Sequence, residues 1–191
     1  MKRCKIKSGD NRGMTLVELL VCLAILSIIV LIIGNYMSSG ARVYKKGHDE
    51  VDLQIELQMV VDHVSEQMLE CESITSIGSE TRYLLRKSLN KGLVFILDDT
   101  NHTLYQRMIE ISEPEVMPEG DLSTYYFNEL KTCAEAVNDP VDMESISTYV
   151  KSMQIEEAGE ASNHLYSVTV TVAKDEVEKS TTKQVTLRNA D

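Results

Sequence analysis

The sequence predicts an α+β protein: one long N-terminal helix, followed by a C-terminal antiparallel sheet that covers the helix's apolar stripe. Three observations lead there. Residues 14–33 are apolar except for Thr15, Glu18 and Ser27. From Val43 onward apolar residues recur at helical spacing, with Val51, Ile55 and Met59 four apart, Leu53 and Leu57 likewise, then Val60, Val64 and Met68. Later the period falls to two, and Tyr166, Val168, Val170 and Val172 alternate with Ser167, Thr169 and Thr171.

The apolar run comes first. Its 20 positions make a helix of ~30 Å, the thickness of a bilayer core. Lys2, Arg3, Lys5, Lys7 and Arg12 precede it, and Arg42, Lys45 and Lys46 follow it. The excess of basic residues in front predicts a cytoplasmic N-terminus and an external C-terminal part, a margin that the second cluster narrows. Ser27 is a small polar group that can bond within its own helix. Glu18 is the anomaly, since a carboxylate within a membrane helix costs of order 2.5–3.5 kcal/mol and marks a functional position by default. Several fates of this N-terminus compete: an uncleaved anchor, a secretory signal cut near Ser39-Gly40-Ala41, and a signal cut ahead of its apolar part. A lipid attachment at Cys22 fits poorly, because Val21 precedes it and the apolar run continues beyond. Neither the secretory nor the lipoprotein reading accounts for Glu18.

The helix is expected to continue. No proline occurs before Pro114, so one helix can run from about Met14 to about Leu69, with Gly34, Gly40 and Gly47 as its soft points. Beyond it, Leu93-Val94-Phe95-Ile96-Leu97 is a short buried-strand run and Thr103 to Ile109 a second strand. Between them, Asp98-Asp99-Thr100-Asn101 is turn-rich. The stretch with Pro114, Pro118 and Gly120 is loop, and Asn128 to Val137 a short helix stopped by Asn138-Asp139-Pro140. Val150 to Glu156, Leu165 to Ala173 and Lys183 to Arg188 are further strand candidates.

Composition narrows the function. The formal charge is −11, and without residues 1–13 it becomes −15, from 14 basic against 29 acidic side chains. So acidic a head argues against nucleic-acid binding, which needs clustered Lys and Arg. Cys4, Cys22, Cys71 and Cys133 lack the paired short spacing of zinc sites. Cys71 and Cys133 alone lie in the presumed outer part, and they are either a disulfide or two buried thiols. There is no phosphate-binding glycine loop, no Gly-x-Ser-x-Gly elbow and no His-Glu-x-x-His pair, and the four histidines are scattered. This composition suggests a non-enzymatic protein without a cofactor. Asp98, Asp99, Asn101 and His102 are either a calcium loop or a solvated hairpin turn. Tyr125-Tyr126-Phe127 is a core cluster before it is a partner surface.

Arg12-Gly13-Met14-Thr15-Leu16-Val17-Glu18-Leu19-Leu20-Val21 resembles the prepilin-type cleavage and methylation motif of type IV pilins and type II secretion pseudopilins. The resemblance implies a leader 1–13, a transmembrane and assembly helix 14–33, an amphipathic continuation 34–70, and an extracytoplasmic α+β head 71–191. It implies cleavage between Gly13 and Met14 by a prepilin peptidase/N-methyltransferase, N-methylation of Met14, and assembly through Glu18 with other pilin or pseudopilin subunits at a membrane platform. The chain would sit in the cytoplasmic membrane, head outside, and then enter a cell-surface or periplasmic filament serving a pilus, secretion or competence. Physics supplies a use for Glu18: cleavage exposes an amine on Met14, and a neighbour's amine, staggered along the axis, can pair with this carboxylate only in the correct register. Many family members begin with phenylalanine where Met14 stands, and many carry a proline where this chain has Gly34-Asn35. The size of the head points to a minor subunit. The competing class is a single-pass membrane-anchored or secreted ligand-binding domain.

Overall fold

The computed structural model describes residues 15–78, 81–112, 121–137, 143–159 and 164–189. The loop around Pro114, Pro118 and Gly120 and the helix stop at Asn138-Asp139-Pro140 lie outside them. The fold is α+β, and its first element, α1 (Leu16–Leu69), is the long helix expected from the sequence. The chain divides into two compact units between Gly47 and His48.

In the first unit every described residue is exposed, and the helix contains a window apolar enough to cross a membrane. Ser27 donates its hydroxyl to Leu23 O at 2.8 Å, which satisfies the polar group inside its own helix. In the second unit α1 has one packed side. Leu53, Leu57, Val60, Val61, Val64 and Met68 are buried there at helical spacing. Val51, Ile55 and Met59, the other apolar series in the sequence, are more than half exposed.

Among the described residues, eight strands and a second helix follow. A five-stranded antiparallel sheet has the order β1 (Ser73–Ser76), β2 (Arg82–Ser88), β3 (Lys91–Asp98), β4 (Thr103–Glu110), β5 (Glu144–Ser147). A three-stranded one has β6 (Val150–Glu157), β7 (Leu165–Lys174), β8 (Val177–Thr186). Two sheets therefore stand where the sequence suggested one. The chain passes between them at Thr148-Tyr149, where β5 ends and β6 begins, and Tyr149 O accepts from Ala173 N at 2.8 Å to tie the passage to β7. Helix α2 (Leu122–Ala136) begins six residues earlier than the apolar pattern indicates, because Asp121 caps it by accepting from Ser123 N at 3.2 Å.

The core has two parts. Leu53 to Met68 of α1 pack with Tyr83, Leu85, Leu93, Phe95, Leu97 and Leu104 of the larger sheet, and also with Val168, Val170, Val172 and Val185 of the smaller one. Alternation along the strands turns Leu84, Val94 and Ile109 to the opposite face, where Leu130 and Ala134 of α2 cover them. The continuous apolar run in β3 is thus a strand buried on both faces. Gly92 sits under α2, where an added Cβ would stand 2.9 Å from a Leu84 methyl and 3.4 Å from one of Leu130.

One side chain joins the sheets by hydrogen bonds. The buried Tyr83 hydroxyl on β2 accepts from Ile155 N at 3.2 Å and faces Met153 O at 3.5 Å, both on β6. Replacing Tyr83 with Phe strips a half-buried edge amide of its partner while keeping the ring. This should cost about 1–3 kcal/mol, measured as a lower urea midpoint with the slope unchanged; an unaltered midpoint would show that the bond is dispensable.

Candidate functional site

The start of α1 is built from two side chains. Thr15 O accepts the first helical bond, from Leu19 N at 3.1 Å, which makes Thr15 the N-cap. Its Oγ1 accepts from Glu18 N at 3.3 Å, and Glu18 Oε2 accepts in return from Thr15 N at 3.5 Å. This is a reciprocal capping box, written in the sequence as Thr-x-x-Glu. It satisfies two of the four amides that a helix start leaves open, and it places a negative charge where the helix dipole is positive. The bond to the carboxylate, at 3.5 Å, is long for a charged acceptor, so the carboxylate is loosely held. Gly13 and Met14, the sequence-predicted processing pair, lie outside the described residues. In the isolated chain Glu18 is therefore engaged with its own helix end, which sequence reasoning about the charge alone does not reveal, though the motif spacing does.

A second polar group stands at the head end of α1. Asp49, buried, receives Lys174 Nζ of β7 at 2.9 Å, and Asp52 receives His48 Nδ1 at 2.9 Å with Lys174 3.8 Å away. The three potential ligand atoms of His48, Asp49 and Asp52 lie within 4.8 Å of one another. The ammonium already supplies the cation there: Asp49 beside it holds Lys174 above the ordinary lysine range, and the ammonium also lies 5.7 Å from the Tyr149 ring centre. The group pins the helix to the smaller sheet. Separation of Asp49 from Lys174 by 125 positions hides it from any local pattern.

The turn between β3 and β4 also shows what its acidic residues do. Asp98 Oδ1 accepts from Thr100 N at 2.9 Å and Asn101 N at 3.4 Å, and Oδ2 accepts from Asn101 Nδ2 at 2.7 Å. These bonds hold its carboxyl below the usual range and close an Asx turn, with His102 in the left-handed region at φ 54°. Of the aromatic cluster, Tyr126 is buried, while Tyr125 and Phe127 are half-buried.

Against this geometry, comparison with known proteins gives a match at the N-terminus. Residues 9–34 match the family model described as the prokaryotic N-terminal methylation motif, so the N-terminal segment carries the signal found in type IV pilins and pseudopilins. Neither a curated protein nor a solved structure matches the chain.

Cys71 and Cys133 are both free thiols. Cys71 belongs to the core shared with α1, and its thiol donates to Gln67 O at 2.9 Å. Cys133 is on α2 and packs against the other core part. The five-stranded sheet lies between those two cores, so the structure does not bring the pair together, and the bridge left open by the sequence is not formed. Burial pushes the Cys71 thiol up to about 12. Mass-spectrometric mapping of iodoacetamide labelling in the folded protein near neutral pH should find Cys133 modified roughly tenfold or more faster than Cys71. Equal rates, or a Cys71–Cys133 crosslink in the oxidised protein, would contradict this arrangement.

Proposed function

We propose that the chain is made as a membrane-inserted precursor, cut between Gly13 and Met14 by a prepilin peptidase, N-methylated on Met14, and assembled through its N-terminal helix. It would serve as a minor pilin or pseudopilin, a non-enzymatic subunit of a pilus, secretion or competence filament. The observation that carries this reading is the methylation motif over residues 9–34. An exposed apolar helix that starts with a capped glutamate supports it. In the membrane residues 14–33 span the bilayer with the head outside, and the partners are sister subunits and the assembly platform.

Glu18 has two roles within that reading. In the lone subunit it closes the helix start. In the filament its carboxylate turns to the Met14 amine of a staggered neighbour, and correct register is the arrangement in which neither charge is left unpaired. The second reading, in which capping is its whole task, has the two observed bonds in its favour.

Processing is tested by sequencing the N-terminus of the mature chain recovered from both the native membrane and the external medium. A start at Met14 is expected; a start at Arg42 indicates secretion, and a start at Met1 an unprocessed anchor.

Paired substitutions separate the roles of Glu18. Gln retains a capping side chain but not the charge. If register depends on charge, Glu18→Gln and Glu18→Ala both insert normally and both lose filament incorporation by roughly tenfold or more. Incorporation of Glu18→Gln at the wild-type level, with Glu18→Ala impaired, assigns the residue to capping alone.

A further inference from the structure

The segment between the apolar run and the head has its own pattern. Residues 34–46 all belong to the exposed first unit. At about 100° per residue, Tyr36, Met37, Val43 and Tyr44 fall on one side of the helix, each more than 70% exposed. Asn35, Ser38, Ser39, Arg42, Lys45 and Lys46 fall on the other. Aromatic and aliphatic residues opposite a basic face are the composition of a helix that lies in a membrane interface.

The charges sharpen the point. Arg42, Lys45 and Lys46 are the only basic residues from 14 to 47, whereas from residue 48 onward 11 basic side chains face 28 acidic ones, a net of −17. An anionic surface repels such a head and attracts only this collar. Basic residues on the outer flank also work against the orientation set by the leader, a cost that contact with anionic headgroups offsets.

We infer that residues 34–46 form an interfacial collar that binds the anionic headgroups of the outer leaflet, with Tyr36, Met37, Val43 and Tyr44 lowered to the acyl boundary. The inference rests on the membrane-spanning reading above. A straight helix would carry Arg42 to Lys46 roughly 13–20 Å beyond Ile33 along its axis, past an interfacial layer of roughly 5–8 Å. The collar therefore reaches lipid by inclining at Gly34, the most permissive residue for such a bend, around which an added Cβ would meet nothing within 4 Å.

The chain contains no tryptophan, so an introduced one reports alone. The full chain carrying Tyr44→Trp is reconstituted in vesicles of phosphatidylcholine, with or without phosphatidylglycerol, containing lipids brominated near the headgroup. A parallel chain carries Leu26→Trp, about 10 Å along the helix inside Ile33, and its vesicles carry the bromine deep in the acyl chains instead. The indole at position 26 should be quenched in both vesicle types, and failure there would refute the membrane span itself. Given that quenching, the indole at position 44 should be quenched about twofold or more strongly with phosphatidylglycerol than without it. Adding Arg42→Ser, Lys45→Ser and Lys46→Ser should abolish that difference. Quenching at position 44 that ignores the anionic lipid overturns the proposal. So does an indole at position 44 that bromolipid never reaches and that becomes shielded only as subunit concentration rises, which would assign the face to a second copy.

Discussion

The packed face of α1, from Leu53 to Met68, is what the head depends on. It is the surface that both sheets share, and without it each sheet would expose one apolar face to water. The larger sheet has α2 on its far side, so its central strand β3 is apolar at consecutive positions. The smaller sheet has no helix there among the described residues. Its outward residues at the middle of β7 and β8 are accordingly hydroxyls, with Thr169 and Thr182 paired at 2.8 Å and Thr171 and Ser180 at 3.2 Å, flanked by Gln184 and Glu178. One helix face thus determines which strands can be hydrophobic throughout and which must alternate.

Around that core, polar contacts act as locators more than as sources of stability. Lys183 reaches Asp62 at 2.7 Å and Lys174 reaches Asp49 at 2.9 Å, tying β8 and β7 to points on α1 between three and four turns apart. The first pair is exposed on both sides, and solvent screens most of its attraction. The second includes a buried carboxylate, which would be costly to leave unpaired. Tyr83 adds a neutral link between the sheets where β6 leaves a backbone amide for it to fill.

The sequence makes the helix and the central strands legible because their burial has a period. α1 ends at Leu69 as expected, β3 and β4 enclose the strands read at Leu93 to Leu97 and Thr103 to Ile109, and β7 follows the alternation from Tyr166 to Val172. Elements governed by position in the sheet are less legible. β2 is Arg82-Tyr83-Leu84-Leu85-Arg86-Lys87-Ser88, and its three apolar residues are too few to establish a period by themselves; pairing with β3 makes it a strand. β8 extends back to Val177 through Glu178, Lys179 and Ser180, polar residues that suit an edge strand and carry no burial signal. The two apolar series in α1 look equivalent in sequence, and only the fold shows that the one through Leu53 is packed and the one through Val51 is not. The candidate site divides in the same way: the capping box is local and can be read from Thr15 and Glu18, whereas the Asp49–Lys174 pair needs the tertiary fold.

The capping box also changes the energetics of carrying Glu18 in an apolar segment. A carboxylate with no partner at that depth would carry its full desolvation cost. Here it sits one turn from the helix start, close to the positive end of the helix dipole and within reach of the Thr15 amide. That gives the lone subunit a tolerable resting state. The bond its carboxylate accepts, at 3.5 Å, is longer than the roughly 2.7–2.9 Å of a strong charge-assisted contact, so little is lost when the carboxylate turns away, and the Thr15 hydroxyl keeps its bond from the Glu18 amide. A subunit amine carrying a full positive charge offers more than a backbone N–H. Under the proposed assembly through Glu18, this long bond would be a home good enough for insertion and weak enough to be given up to a neighbour.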